Sequence, residues 1–138
     1  MNIVAIVAAW VLTVFLSLVF LKAGSFKLTA PIETLAAAGM AWTKQIPSGL
    51  VRAIALVEII GVAGIVLAPI ASEFLGFGWA QPWGVAAAAG LTLTMAVAAV
   101  MHIVRGEFKH TYKINLMVTI AGLILTVLLA LYGSSVFA

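Results

Sequence analysis

The sequence predicts an all-α integral membrane protein, a four-transmembrane-helix bundle with a short interfacial helix between helices 1 and 2. Apolar residues make up 65% of the 138-residue chain and charged residues only 8%, whereas soluble domains carry about 25% charged residues. A membrane-spanning helix needs about 20 predominantly apolar residues, and four segments of the chain approach or reach that length. We therefore expect residues 1–138 to form a single transmembrane domain.

The first predicted span covers residues 3–21. No basic residue precedes it and no cleavage site of small residues follows at a suitable distance, so we expect this span to be retained rather than removed as a signal peptide. Gly24-Ser25 follows, and we expect it to end the first helix because glycine is unfavourable inside helices.

A short amphipathic helix is predicted next. Pro31 and Glu33 stand where the first turn of a helix favours proline and an acidic side chain. Apolar and small residues then recur at roughly helical spacing, at Ile32, Leu35, Ala36, Met40 and Thr43. Such a helix would lie in the membrane interface.

The other three predicted spans cover residues 53–69, 84–104 and 114–132. Span 84–104 carries small residues in two rows, in which residues recur every four positions. The first row is Ala86, Gly90, Thr94 and Ala98 and continues to His102; the second is Gly84, Ala88, Thr92 and Ala96. Because helices in lipid associate through close backbone approach at small residues, we expect both rows to meet neighbouring helices.

The basic residues predict the orientation. All seven Lys and Arg residues lie near the connections before span 53–69 and before span 114–132, which four spans place on one side. The connection between spans 53–69 and 84–104 has Glu73 and no cation. The cytoplasmic bias of Lys and Arg then predicts both termini outside the cytoplasm. The net charge of +3 is explained by topology, so we expect no nucleic-acid partner.

One set of polar residues lies within the apolar segments. A carboxylate facing lipid costs several kcal/mol, so Glu58 indicates a site or a buried pair. Lys27, His102 and Asn115, with Lys22 as a further candidate, occupy comparable depths. All lie toward the predicted cytoplasmic side, where Arg52 and Arg105 are interfacial. The geometry therefore allows one ligand-binding or buried polar cluster of Lys27, Glu58, His102 and Asn115.

The sequence leaves two interpretations of these residues. Glu58 either pairs with Lys27 or Arg52 as a structural residue, or acts as a site residue that accepts a proton or binds the polar head of an apolar ligand. His102 either joins this cluster or contacts headgroups at a helix end, and Asn115 either contacts a ligand or is a polar residue near a helix start. Glu107 and His110 belong to a connection that we expect to be solvated.

Several kinds of chemistry are disfavoured. The chain has no cysteine, which excludes thiol redox chemistry, iron–sulfur clusters and thiolate zinc sites. Only His102 is an intramembrane histidine, too few for a bis-histidine haem, and with Glu58 it falls short of the three or four ligands of a zinc site. We therefore expect no metal and no intrinsic cofactor; a bound quinone or lipid is compatible with the polar set.

Three motifs carry a family resemblance. At the end of span 3–21, residues 20–28 read Phe-Leu-Lys-Ala-Gly-Ser-Phe-Lys-Leu. At the start of the next span, residues 50–58 read Leu-Val-Arg-Ala-Ile-Ala-Leu-Val-Glu, and residues 102–107 read His-Ile-Val-Arg-Gly-Glu. In this order the motifs resemble the DoxX-like family of small four-helix bacterial membrane proteins. The resemblance implies a bacterial inner-membrane location. It also implies that the polar residues of the family's motifs correspond to Lys27, Arg52, Glu58, His102 and Arg105. Named members of the family are linked to quinone-dependent sulfur oxidation and to oxidative-stress complexes.

Two functional hypotheses follow. The first is a non-catalytic accessory or assembly subunit of a larger, redox-active membrane complex, with membrane lipids and membrane-protein partners or a second copy of the chain as partners. The alternative is a quinone- or lipid-binding protein in quinone-dependent oxidoreduction, with Lys27, Glu58 and His102 at the headgroup. A transporter ranks third, because four spans without an internal repeat leave little room for alternating access.

Overall fold

A computed structural model describes residues 3–133, and every helix predicted from the sequence is present among them. The elements in chain order are α1 Ile3–Thr29, α2 Ile32–Ala37, a 3₁₀ helix Ala41–Gln45, α3 Ser48–Glu73, α4 Ala80–Val104 and α5 Phe108–Tyr132. The chain termini, which we expect outside the cytoplasm, lie outside the described residues.

Four helices are long and apolar enough to cross a bilayer: α1, α3, α4 and α5, of 27, 26, 25 and 25 residues. At 1.5 Å per residue each extends for about 38–40 Å, beyond the roughly 30 Å hydrocarbon core. The chain is a multi-pass membrane protein. Span 53–69 proves to be the middle of a longer helix, because α3 starts at Ser48 and continues past Pro69 to Glu73.

The four long helices form a closed bundle. Neighbours in sequence pack together, α1 on α3, α3 on α4 and α4 on α5, and α1 also contacts α5. Large apolar side chains from each helix fill the centre, including Leu16, Phe20, Ile65, Leu91 and Leu125. Many large apolar side chains point outward and remain exposed, as expected for a surface that faces lipid rather than water.

The first helix does not end at Gly24-Ser25, which corrects the expectation from sequence. α1 continues to Thr29, and Gly24 lies against α3. A Cβ atom at Gly24 would stand 3.0 Å from Cγ1 of Ile59 and 3.3 Å from the carbonyl oxygen of Ala55. Glycine is needed here for close helix approach, which brings the last turns of α1 alongside α3.

Only one of the two small-residue rows of α4 packs inside the bundle. Gly84 and Ala88 are buried, and Thr92 lies against Gly122 of α5, where a Cβ would approach its Oγ1 within 2.3 Å. In the other row, Ala86 and Gly90 are exposed whereas Thr94 and Ala98 are half-buried, so the expectation that both rows meet neighbouring helices holds only in part.

The segment between α1 and α3 forms two short helices rather than one. The residues predicted to share a helix are divided at Gly39, which has a φ of +98° that glycine adopts readily. α2 buries Leu35 and the 3₁₀ helix buries Thr43. The segment therefore covers the end of the bundle at which α1 and α4 finish and α3 and α5 begin, here called the basic end.

Candidate functional site

A buried ion pair joins α1 to α3 near the basic end. The ammonium Nζ of Lys27 donates to Oε1 of Glu58 at 2.5 Å. Lys27 is 7% exposed and Glu58 4%, so neither charge has water as an alternative partner. In its structural role, the carboxylate of Glu58 therefore holds the end of α1 against α3 through Lys27.

Arg52 supports the same contact through the backbone. Its guanidinium Nη1 donates to the carbonyl oxygen of Lys27 at 2.5 Å. This carbonyl lies in the last turn of α1, where helix carbonyls lack an intrahelical partner, and a cation there also compensates the negative end of the helix dipole. Arg52 thus contacts the main chain at Lys27 rather than the carboxylate of Glu58.

A groove opens between α3 and α4 beside the ion pair. Its volume is about 590 Å³, within the roughly 300–1,000 Å³ of ligand pockets. Lys27 and Glu58 supply its charged wall, and the other walls are almost wholly apolar. The lining includes Trp42 and Ile46 from the covering segment, Ile54 and Val57 from α3, and Leu93, Val97 and Met101 from α4. We call this the α3–α4 groove.

The second carboxylate oxygen of Glu58 lacks a protein partner. Oε2 is buried and accepts no hydrogen bond from any described residue. A buried charged acceptor without a donor is costly, because its hydrogen bonds to water are lost and not replaced. A carboxylate can accept several hydrogen bonds. The lone oxygen is therefore a position at which a donor from a bound molecule would be stabilising.

His102 forms a different hydrogen bond from the one that the sequence suggested. Its ring nitrogen Nδ1 lies 2.8 Å from Oε2 of Glu107, while the other oxygen of Glu107 accepts from Nε of Arg105 at 2.7 Å. Nη1 of Arg105 also donates to the side-chain oxygen of Gln45. The structure thus joins His102 to the α4–α5 connection and to the covering segment, and not to Glu58.

Glu107 is therefore bonded rather than freely solvated. The hydrogen bonds from His102 and Arg105 stabilise its charged form and hold its pKa below the usual value of 4.5. The sharp turn at Gly106, with a φ of +73°, folds the connection back so that Glu107 reaches His102. Sequence reasoning missed Glu107 and Gln45, although the spacing of His102, Arg105 and Glu107 around a glycine was visible.

Asn115 is buried but stays within its own helix. It is 3% exposed, and its amide Nδ2 donates to the carbonyl oxygen of Thr111 at 3.0 Å. Lys22, the further candidate, is exposed. Of the predicted cluster, the structure therefore brings together Lys27 and Glu58, supported by Arg52, and leaves His102 and Asn115 in separate hydrogen bonds.

The described part of the chain holds no group of three or more His, Cys, Asp or Glu side chains that could bind a metal ion. The site can thus offer one ammonium and one carboxylate beside an apolar wall. This arrangement is suited to recognising a polar head attached to an apolar body.

Comparison with known proteins gives one finding. The family model described as the DoxX-like family matches residues 11–132, which include all four long helices almost entirely and every residue of the predicted site. No curated protein matched the chain, and no solved structure did. Because the match extends over most of the chain and includes the Lys27, Glu58 and His102 motifs, the protein belongs to the DoxX-like family.

Proposed function

We propose that the protein binds the polar head of a membrane amphiphile, a quinone or a lipid, in the α3–α4 groove. The observation that supports this most is the unpartnered Oε2 of Glu58 in the wall of an otherwise apolar groove. An acceptor without a donor, next to the ammonium of Lys27, can be satisfied by a head that both donates and accepts hydrogen bonds, such as the reduced (quinol) form of a quinone or a lipid head with hydroxyl or amine groups.

The position of the groove favours a ligand that comes from the bilayer. Val57, Leu93 and Val97 line it and are themselves strongly exposed, so the groove opens sideways to lipid. The apolar body of the ligand would lie along these side chains, while its head reaches Lys27 and Glu58 at the basic end. Because Oε2 is covered by neighbouring atoms, binding includes a small rotation of the carboxylate.

Co-purification tests this function. The protein would be purified in mild detergent at native expression, and its bound quinones and lipids extracted and identified by mass spectrometry. Ala98→Phe fills the groove without removing a charge, whereas Val100→Phe places the same ring on an exposed position of α4 outside the lining. We expect the ligand to be lost from Ala98→Phe and kept by Val100→Phe. Equal recovery from both variants would contradict the proposal.

A second role, as an accessory or assembly subunit of a larger redox-active complex, is supported by the uncovered face of α4. Gly90 is exposed, and a Cβ there would meet no other atom within 4 Å. Small residues on a lipid-facing helix permit close approach of another transmembrane helix. A partner recovered in stoichiometric amounts with the native chain, and lost from Gly90→Leu, would support this role; recovery of the chain alone would oppose it.

Both proposals give the chain a binding role at the bacterial inner membrane. They place the basic end, with its covering segment, at the cytoplasmic face, as the distribution of Lys and Arg suggests.

A further inference from the structure

Two hydroxyl groups of α1 are buried without a hydrogen-bond partner in the described part of the chain. A threonine inside a helix usually donates to the carbonyl oxygen four residues earlier. Among residues 3–133, Thr29, Thr92, Thr94, Thr111 and Thr126 do so. Thr13 and Ser17 do not, although both hydroxyl oxygens are buried and neither has a hydrogen-bond partner among the described residues. Thr13 is only 7% exposed.

A third polar group belongs to a residue that lines the same cavity as these hydroxyls. Pro69 stands inside α3 and has no N–H, so the carbonyl oxygen of Ile65 cannot receive the usual hydrogen bond from residue 69. In membrane helices, such freed carbonyls are satisfied by Ser or Thr side chains, by neighbouring helices or by water. One cavity is lined by Thr13, Ser17, Ile65 and Pro69. Neither hydroxyl donates a hydrogen bond to the carbonyl oxygen of Ile65.

This cavity, the α1–α3 groove, has a volume of about 230 Å³. Trp10 and apolar side chains form the rest of it, among them Val14, Leu18, Val66 and Ile70. Val14 and Leu18 are exposed on the outer surface of α1, so the groove is open to the bilayer. The α1–α3 groove and the α3–α4 groove share no lining residue.

The depth and lining exclude a charged head. Thr13 is ten residues from Ile3, about 15 Å along the helix, which is near the middle of a roughly 30 Å hydrocarbon core. No charged residue lines the groove, and an ion at that depth is costly. The group that suits two hydroxyls and a carbonyl is another hydroxyl, since it donates one hydrogen bond and accepts others.

We propose that the α1–α3 groove binds the hydroxyl of a neutral, membrane-dissolved alcohol, whose apolar body fills the remaining cavity. A single water has the same hydrogen-bonding chemistry but takes up only about 30 Å³, and apolar cavity space stays dry. An alcohol fills both the polar and the apolar parts. Since neither hydroxyl oxygen has exposed surface, binding includes rotation of Thr13 or Ser17 toward the ligand.

Photolabelling tests the proposal. The full chain, reconstituted in nanodiscs, would be irradiated with a medium-chain alkanol that carries a diazirine, and adducts mapped by mass spectrometry. We expect saturable adducts on the α1 and α3 residues of the groove, suppressed by excess unlabelled alkanol but not by the alkane of equal length. Thr13→Val and Ser17→Ala should each weaken competition about tenfold, the effect of one hydrogen bond, while Thr126→Val, whose hydroxyl bonds to its own helix, should not.

Stability provides a second measurement. Thr13→Val removes a buried hydroxyl without a protein partner, so the variant should unfold at the same or a higher temperature in the absence of alkanol. Adducts that persist unchanged in Thr13→Val and Ser17→Ala, or an alkane that competes as well as the alkanol, would overturn the proposal. An experimental map with an ordered water at Thr13 and no saturable labelling would assign the hydroxyl to water and equally overturn the alcohol.

Discussion

Removing one member of the Lys27–Glu58 pair should destabilise the bundle strongly. The two side chains are 9% and 5% exposed and meet at 2.5 Å, so truncation of either leaves the other charge buried without compensation. Losing one partner of a buried pair typically costs about 3–5 kcal/mol. We expect a cost at the lower end, about 3 kcal/mol, because a membrane-inserted unfolded state also finds partners for polar groups. Because each 1.4 kcal/mol changes an equilibrium constant tenfold, this loss corresponds to about a hundredfold change in the folding equilibrium constant.

A double-mutant cycle separates the charge from the packing. Lys27→Met and Glu58→Met replace the charged groups with flexible side chains of similar length and leave the Lys27 carbonyl free to accept from Arg52. Each single variant should lose about 3 kcal/mol, whereas the double variant should approach the stability of the native chain, because well-packed apolar replacements of buried pairs are often neutral or stabilising. Reversible unfolding in mixed micelles, followed by tryptophan fluorescence, measures all four proteins.

Glu107→Ala provides the comparison, since Glu107 lies in a connection at the surface of the bundle, where its side chain is 29% exposed. We expect a smaller loss than from either Met variant. Equal and negligible losses from Glu58→Met and Glu107→Ala would refute the reasoning, because they would mean that Glu58 reaches water or headgroups. Losses that simply add in the double variant would show that the two charges do not depend on each other.

Three further predictions concern other parts of the molecule. A reporter fused to the C terminus should be active only outside the cytoplasm, and cytoplasmic activity would reverse the orientation but not the span count. His102 and Arg105 lower the pKa of Glu107, so the native chain should be more stable than Glu107→Gln. This difference should be complete above pH 4.5 and should disappear as the pH falls through the lowered pKa. A difference in thermal unfolding that does not depend on pH would contradict this. Gly122→Ala should lower the free energy of unfolding by about 1–3 kcal/mol, because the added methyl group would overpack against Thr92. Gly90→Ala, with open space around it, should be neutral or slightly stabilising. Equal unfolding temperatures of the two variants would show that the α4–α5 contact can adjust.

The sequence by itself determined the class of fold and the number of spans. Hydropathy adds up over about 20 consecutive residues, so it does not depend on how helices are arranged, and all four spans were placed within the helices observed. The depth of Glu58 and Lys27 was also readable from the chain, because distance along a helix follows from residue count.

Tertiary structure alone decided which polar residues meet. Glu58, His102 and Asn115 occupy similar depths, but a hydrogen bond requires approach to about 3 Å, and this depends on the rotation of each helix about its axis. The turn at Gly106 gave His102 a nearer carboxylate in Glu107, while the close packing of Gly24 on α3 brought Lys27 to Glu58. Helix rotation also left one small-residue row of α4 partly uncovered and placed Thr13 and Ser17 in one cavity with Pro69, which neither hydropathy nor spacing along the chain encodes.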